Sequence, residues 1–131
     1  MERRDLHTHP VHLGLGATAV PQPAFAGMPW YEDYARRTAD DGADGRLVSL
    51  YDFFESWDSW EMHPAGDELV VCVSGEITLI QERPDGSFHS EMLGPGEYAI
   101  NTAGTWHTAD VEHPASVLFI TAGQGTRHRP R

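Results

Sequence analysis

The sequence predicts a single small all-β domain, built as a sandwich or barrel of short strands. From Gly45 onward, short apolar segments alternate with turn sequences rich in Gly, Pro, Asp and Ser, which is the pattern of such folds. The composition agrees, because 13 glycines and nine prolines in 131 residues allow many tight turns. Apolar residues make up 40% of the chain, enough for one hydrophobic core.

Eight strands are expected in the part of the chain after Gly45. They cover residues 46–54, 57–63, 68–73, 77–82, 88–93, 97–101, 105–111 and 116–121. The strands at 68–73 and 77–82 are predicted to pair as a hairpin through Ser74-Gly75-Glu76. Two of the strands, at 69–73 and 116–121, are apolar on both faces, so their outer face must also be covered.

The first 45 residues are expected to form an N-terminal arm with one short helix, followed by the β domain at 46–131. Pro29 suits the first turn of a helix, and Trp30, Tyr31 and Tyr34 follow at helical spacing. Gly42 supplies a stop, which predicts a helix over 29–40. We expect this helix to act as a lid that packs its aromatic side chains on the β domain.

The charge of the chain restricts its partners. Nine Lys and Arg against 20 Asp and Glu leave a formal net charge of −11, which repels nucleic acid and anionic lipid. The basic residues at 127–131 are expected to be a solvated tail. Neither a signal peptide nor a long apolar run is present, so we expect a cytoplasmic protein that does not associate with membranes.

The single cysteine excludes some kinds of disulfide and metal site. Cys72 is the only cysteine, so an internal disulfide and zinc sites that need several cysteines of one chain are excluded. It lies in an apolar run and is expected to be a small core residue.

Four acidic and imidazole side chains are spaced so that they can meet inside the β domain. Glu61 and His63 alternate along one strand and therefore point to the same side. The turn after His63 brings Glu68 onto a neighbouring strand, and His107 lies on a much later one. Two imidazoles with one or two carboxylates suit one divalent transition metal ion, with Fe, Mn, Zn and Ni all remaining open.

At these residues the sequence resembles the cupin superfamily. The family's first motif contains H-x-H followed by Glu and Gly, and WEMHPAGDELVVCVSG matches it at His63, Glu68 and Gly75. Its second motif contains Gly, P-x-G, His and Asn, and GEYAINTAGTWHTADV matches it at Gly96, Gly104 and His107. The resemblance implies a jelly-roll (double-stranded β-helix) barrel with His63, Glu68 and His107 as metal ligands.

The sequence departs from the family pattern at four positions. The family's glycine, first histidine, proline and asparagine fall on Glu55, Glu61, Thr102 and Val111. Glu61 therefore offers a carboxylate where an imidazole is expected. Two roles stay open for it, a fourth metal ligand or a general base.

Aromatic residues near the motifs have two interpretations. Trp57 shares the strand parity of Glu61, and Tyr51 and Tyr98 lie on neighbouring strands. These three side chains would line a pocket for a small molecule, or would simply be part of the core.

The sequence thus predicts a metal-binding protein with a small-molecule ligand or substrate. A metal-dependent enzyme, either dioxygenase-like or isomerase- and lyase-like, is one hypothesis, because the metal would support oxygen chemistry or act as a Lewis acid. A non-catalytic module that binds a small ligand through the same metal is the alternative. Strands that are apolar on both faces also predict a homodimer.

Overall fold

Two antiparallel β-sheets face each other in a computed structural model that describes residues 1–131. The sheets contain eleven strands: β1 (Val11–Gly14), β2 (Thr18–Pro21), β3 (Arg46–Phe53), β4 (Ser59–Met62), β5 (Glu68–Ser74), β6 (Ile77–Glu82), β7 (Phe88–Leu93), β8 (Tyr98–Asn101), β9 (His107–Asp110), β10 (Ala115–Thr121) and β11 (Arg127–Pro130). The first sheet has the order β2-β1-β3-β10-β5-β8, and the second has the order β11-β4-β9-β6-β7. All pairings are antiparallel.

From β3 onward the chain passes from one sheet to the other at almost every connection. β3, β5, β8 and β10 lie in the six-stranded sheet, while β4, β6, β7, β9 and β11 lie in the five-stranded sheet. Only β6 and β7 are neighbours both in sequence and in one sheet. This alternation is the jelly-roll arrangement that the sequence predicts, and it brings residues that are distant in the chain together between the sheets.

The predicted hairpin between β5 and β6 is wrong, because these strands belong to different sheets. Gly75 lies at the crossing with φ of 74°. A Cβ atom at this position would lie 2.1 Å from the carbonyl oxygen of Pro114. The chain therefore passes so close to the segment before β10 that only glycine fits at this position.

The prediction of a closed barrel also needs refinement. β7 and β8 form neighbouring edges of the two sheets and contact each other without strand pairing. The sheets are thus a sandwich-like jelly roll whose hydrogen bonding does not close into a continuous barrel.

The region before β3 is more ordered than the predicted arm. β1 and β2 form a hairpin, and β1 pairs with β3 to extend the six-stranded sheet. The helix α1 spans Met28–Arg37 with Pro29 in its first turn, and a 3-10 helix follows at Ala39–Asp44. Trp30 is buried, and Phe25 and Tyr31 pack against Tyr51 of β3, so the aromatic face of α1 contacts the β-structure.

The basic C-terminal segment is not the solvated tail that its composition predicts. It forms β11, which pairs with β4. Arg129 lies over the Trp106 ring at 4.4 Å and forms an ion pair with Glu82 at 2.9 Å, and Arg131 pairs with Asp110. Cation–π contacts and carboxylate partners on the acidic domain hold the segment in place.

Both sheets contribute side chains to the core between them. Its buried residues are Val70, Cys72, Ile77, Leu93, Ala109, Val111, Ala115, Val117 and Phe119. The buried polar residues His63, Glu68, Asn101 and His107 also lie between the sheets and are described below. None of the helices combines the length and the apolarity that a membrane crossing requires.

Candidate metal centre

The polar part of the interior is built from two rows of cross-strand neighbours, one on each sheet. In the five-stranded sheet, Glu61 of β4 stands opposite His128 of β11 on one side and His107 of β9 on the other. His107 in turn stands opposite Gln81 of β6. Directly opposed residues of antiparallel strands point to the same face, so this row projects into the space between the sheets.

The second row faces the first from the six-stranded sheet. Glu68 of β5 stands opposite Thr121 of β10 and Asn101 of β8. Gln81 donates a hydrogen bond of 2.8 Å to the Asn101 side-chain oxygen and thereby connects the two rows.

The four side chains predicted from the sequence converge at this point. One possible ligand atom from each of Glu61, His63, Glu68 and His107 lies within 4.8 Å of all the others. His63 follows directly after β4, and its Nε2 lies 2.9 Å from Glu61 Oε1 and 3.0 Å from Glu68 Oε2. His107 Nε2 lies 3.3 Å from Glu68 Oε1.

Hydrogen bonds fix the orientation of both imidazoles. His107 Nδ1 lies 3.1 Å from the Thr105 carbonyl oxygen, which can only accept. His63 Nδ1 lies 2.8 Å from Thr126 Oγ1, whose own hydrogen is donated to the Gly123 carbonyl. Both Nδ1 atoms therefore carry the proton, which leaves the Nε2 lone pairs directed at the centre of the cluster.

The two Nε2 atoms are buried and make no hydrogen bond, although carboxylate oxygens lie close to both. A buried polar atom without a hydrogen bond is costly, so such atoms need a reason. Two imidazole nitrogens and two carboxylates directed at one point form a donor set that fits a divalent transition metal ion. The residues are therefore able to hold the metal that the sequence predicts.

Glu68 is held from two sides. Its Oε1 accepts a hydrogen bond of 3.0 Å from Asn101 Nδ2, and its Oε2 accepts one of 2.7 Å from Thr121 Oγ1. The side chain is only 3% exposed. Both oxygens are thus fixed by neutral donors while they face the two imidazoles.

Glu61 occupies the open edge of the cluster, with 27% of its side chain exposed. Burial would raise the pKa of its carboxyl group, but the adjacent imidazoles of His107 and His63 oppose this effect and lower the pKa below its ordinary value. For His63 burial opposes ionisation, yet Glu61 and Glu68 raise its pKa to about 9. Without a metal ion, His63 therefore also carries a proton on Nε2 and is positively charged between the two carboxylates, and the Nε2 lone pair becomes available when a metal ion replaces that proton.

Two of the three aromatic residues predicted for the pocket lie near this cluster. The Trp57 ring lies 6.2 Å from the His107 ring, and its Nε1 is buried without a hydrogen-bond partner. Tyr51 faces inward from β3, and its hydroxyl bonds to the hydroxyl of Tyr31 on α1. Burial raises the pKa of both phenols, and the negative charge of Glu61 contributes to the increase.

Tyr98 does not belong to this pocket, which corrects the prediction. Its side chain is 63% exposed, whereas Asn101 on the same strand is buried and bonded to Glu68. Residues of a strand alternate between faces, so Asn101 and Ala99 point inward and Tyr98 points to solvent.

The sequence reasoning missed the residues that support the four central side chains. These are Gln81, Asn101, Thr105, Thr121, Thr126 and His128. Thr121 had a usable signal, because it continues the inward parity of Val117 and Phe119 as a polar residue at the end of an apolar strand. His128 had none, since nothing local in a basic terminal segment indicates pairing with β4.

Comparisons with known proteins address the fold. Neither a family model nor a curated protein matches the sequence. Among solved structures, oxalate oxidase matches with a TM-score of 0.54 at 16% identity, over 62% of this chain and 44% of that one. A protein with a double-stranded β-helix domain from Klebsiella pneumoniae matches with a TM-score of 0.52 at 21% identity, over 66% and 76%. A cupin superfamily protein from Desulfitobacterium hafniense matches with a TM-score of 0.49 at 22% identity, over 58% and 65%.

The chain has the cupin fold. Oxalate oxidase and the Klebsiella protein both match the chain with a TM-score above 0.5, and the cupin motif positions His63, Glu68 and His107 are three of the four residues in the buried cluster. The chain spans less than half of the oxalate oxidase chain. At such identities the likeness concerns the cupin fold, and the chemistry has to be argued from the side chains.

Proposed function

We propose that this cupin is a metal-dependent enzyme that acts on a small organic molecule, with Glu61, His63, Glu68 and His107 as the metal ligands. The observation that carries the proposal is the convergence of two buried imidazole Nε2 atoms and two carboxylates, with ligand atoms that all lie within 4.8 Å of one another. Fe, Mn, Zn and Ni all accept this donor set. When bound there, the ion would polarise an oxygen of the substrate as a Lewis acid or, as Fe or Mn, support chemistry with dioxygen.

The surroundings of the cluster favour a small substrate that carries oxygen atoms. The Trp57 Nε1–H is a buried donor without an acceptor, so an oxygen of a bound molecule would satisfy it. Tyr31 and Tyr51 use one hydroxyl hydrogen in their mutual bond, which leaves the other free to donate. Such a molecule would be oriented by the metal ligands on one side and by the aromatic rings and free hydrogen-bond donors of Trp57, Tyr31 and Tyr51 on the other.

A non-catalytic cupin that binds a ligand through the same metal is the second candidate. It is favoured by the position of Glu61, which lies 2.9 Å from His63 and 3.8 Å from His107. A carboxylate between two imidazoles is stabilised in its ionised form and is therefore a weak general base. The absence of turnover in the loaded protein, together with tight binding of a small molecule, would favour this candidate over the enzyme.

Elemental analysis tests the metal site first. The protein is purified without added metal or chelator, beside His63→Ala and His107→Ala, with the exposed His113→Ala as the matched control. About one transition metal ion per chain in the wild type and the control, and none in the other two variants, is the expected result. A wild type that stays free of metal even after reconstitution would overturn the proposal.

We also propose that two copies associate through the outer face of the six-stranded sheet. Opposed residues of β5, β8 and β10 give this face a continuous apolar surface without charged side chains; it consists of Leu69, Val71, Tyr98, Ile100, Leu118 and Ile120. A second copy of this surface meets no like charge on β5, β8 and β10, although the chain as a whole is strongly acidic and Asp52 lies on the neighbouring β3. Sedimentation of Val71→Asp beside the wild type tests this: the variant should be monomeric and the wild type dimeric.

A further inference from the structure

His128 lies beside the cluster and is not one of the four central residues. It stands directly opposite Glu61 in the pairing of β11 with β4. Its Nε2 lies 3.1 Å from Glu61 Oε2, and since an ionised carboxylate only accepts, Nε2 donates this hydrogen bond. Glu61 Oε1 points the other way, 2.9 Å from His63 Nε2. The two oxygens of Glu61 are thus divided between His128 and the centre.

No other residue outside the cluster holds the Glu61 carboxylate. Glu68 has two donors for its two oxygens, whereas Glu61 has His128 alone. Glu61 is also the most exposed of the four side chains, so water and solvent ions compete for its carboxylate. The direction of Oε1 therefore depends on a single hydrogen bond.

The strand that carries His128 is fixed independently of this hydrogen bond. Arg129 pairs with Glu82 and lies over the rings of Trp60 and Trp106, and Arg131 bonds to the Trp57 carbonyl oxygen at 3.0 Å. β11 also pairs with β4 through its backbone. Replacement of the half-exposed His128 imidazole should therefore leave the strand in position.

We propose that His128 is a positioning residue of the metal centre, which holds Glu61 Oε2 so that Oε1 remains directed at the ion. The inference rests on the proposed metal-binding function and extends it to the C-terminal strand. Residues that orient a metal ligand affect metal affinity about 10- to 100-fold. Loss of the His128 donor should thus weaken metal binding without loss of any ligand.

The test uses Co(II) as the probe, added to the metal-free protein of residues 1–131. His128→Ala should lower the Co(II) affinity about 10-fold and alter the visible absorption spectrum of the bound ion, because Glu61 is no longer oriented. His128→Gln, which restores an N–H donor, should recover much of the affinity and the wild-type spectrum. His89→Ala is the matched control, since His89 forms a similar 2.9 Å pair with Glu91 on the surface.

A double-mutant cycle separates positioning from general stability. Glu61→Gln should weaken Co(II) binding at least as much as His128→Ala, and the double variant should bind no more weakly than Glu61→Gln alone. Thermal unfolding of the metal-free variants checks that all of them are folded.

The possible failures of the two proposals differ. A wild type that binds no Co(II) overturns the metal-binding proposal itself. The role of His128 alone is overturned by a different set of results. In that case the wild type binds Co(II) and Glu61→Gln binds it more weakly, but His128→Ala keeps the wild-type affinity and spectrum. Additive losses in the double variant would also overturn it, because His128 would then act independently of Glu61.

Discussion

The two carboxylates of the cluster are chemically identical but differently supported. Glu68 lies on β5, between β10 and β8 of the six-stranded sheet, almost fully buried, with a donor for each oxygen. Glu61 lies on β4, between β9 and the terminal strand β11, and is more than a quarter exposed with a single outer donor. The burial and the number of donors determine how far each carboxylate is able to move. We therefore interpret Glu68 as the fixed side of the site and Glu61 as the adjustable side.

The sharpest test of this difference is Glu68→Ala, for which we expect the largest effect. The variant should lose metal binding altogether and should also be destabilised by about 3 kcal/mol, because Asn101 Nδ2 and Thr121 Oγ1 lose their acceptor and His63 loses a charge partner. Metal titration and denaturant unfolding measure the two effects. Glu91→Ala, which removes an exposed carboxylate, should change neither.

The same experiment on the other carboxylate should give a smaller and different result. Glu61→Gln should lower metal affinity about 10-fold, yet leave the free energy of unfolding of the metal-free protein within about 1 kcal/mol of the wild type, because the side chain is partly solvated. A loss of stability as large as that of Glu68→Ala would show that the two sides of the site are equivalent.

Thr121→Val removes one of the two donors of Glu68 while it keeps the shape of the side chain. We expect the free energy of unfolding to fall by about 1 kcal/mol, because Glu68 Oε2 loses its hydrogen bond. For the same reason, metal affinity should fall about 10-fold. Calorimetric titration and denaturant unfolding provide the values. Unchanged affinity would mean that Asn101 alone suffices to orient Glu68.

A further expected effect is a pH dependence of the metal-free protein. The pKa of His63 is raised from 6.5 to about 9 by Glu61 and Glu68 despite burial, so the stabilisation from its charge is complete below pH 6.5 and is lost as the pH rises through 9. The pKa of Glu61 is lowered, so its contribution is present above pH 4.5 and is lost at lower pH. Between pH 6 and pH 9, the thermal unfolding midpoint of the wild type should therefore fall further than the midpoint of His63→Gln. Parallel curves for the two proteins would contradict this explanation.

The comparison of the two sides also explains which parts of the site were predictable. His63, Glu68 and His107 lie at spacings that resemble the cupin motifs, and the parity of β4 joins Glu61 to them, so the sequence and this resemblance sufficed. Tyr98 was misassigned because both faces of β8 carry apolar residues, and parity then depends on which face meets Glu68. His128 was missed because its role depends on the pairing of β11 with β4 across 67 residues of sequence.

The sequence by itself determined the all-β class, most strand positions and the four residues of the cluster, because turn residues, alternation and motif spacing act over a few residues. Only the tertiary structure decided the division of β5 and β6 between two sheets, the ordered hairpin β1–β2, the docked C-terminal strand and the unequal support of the two carboxylates. The physical reason is that strand pairing and hydrogen-bond donors come from segments distant in the chain. A local sequence pattern predicts that a segment forms a strand, but it does not predict which other strand pairs with it.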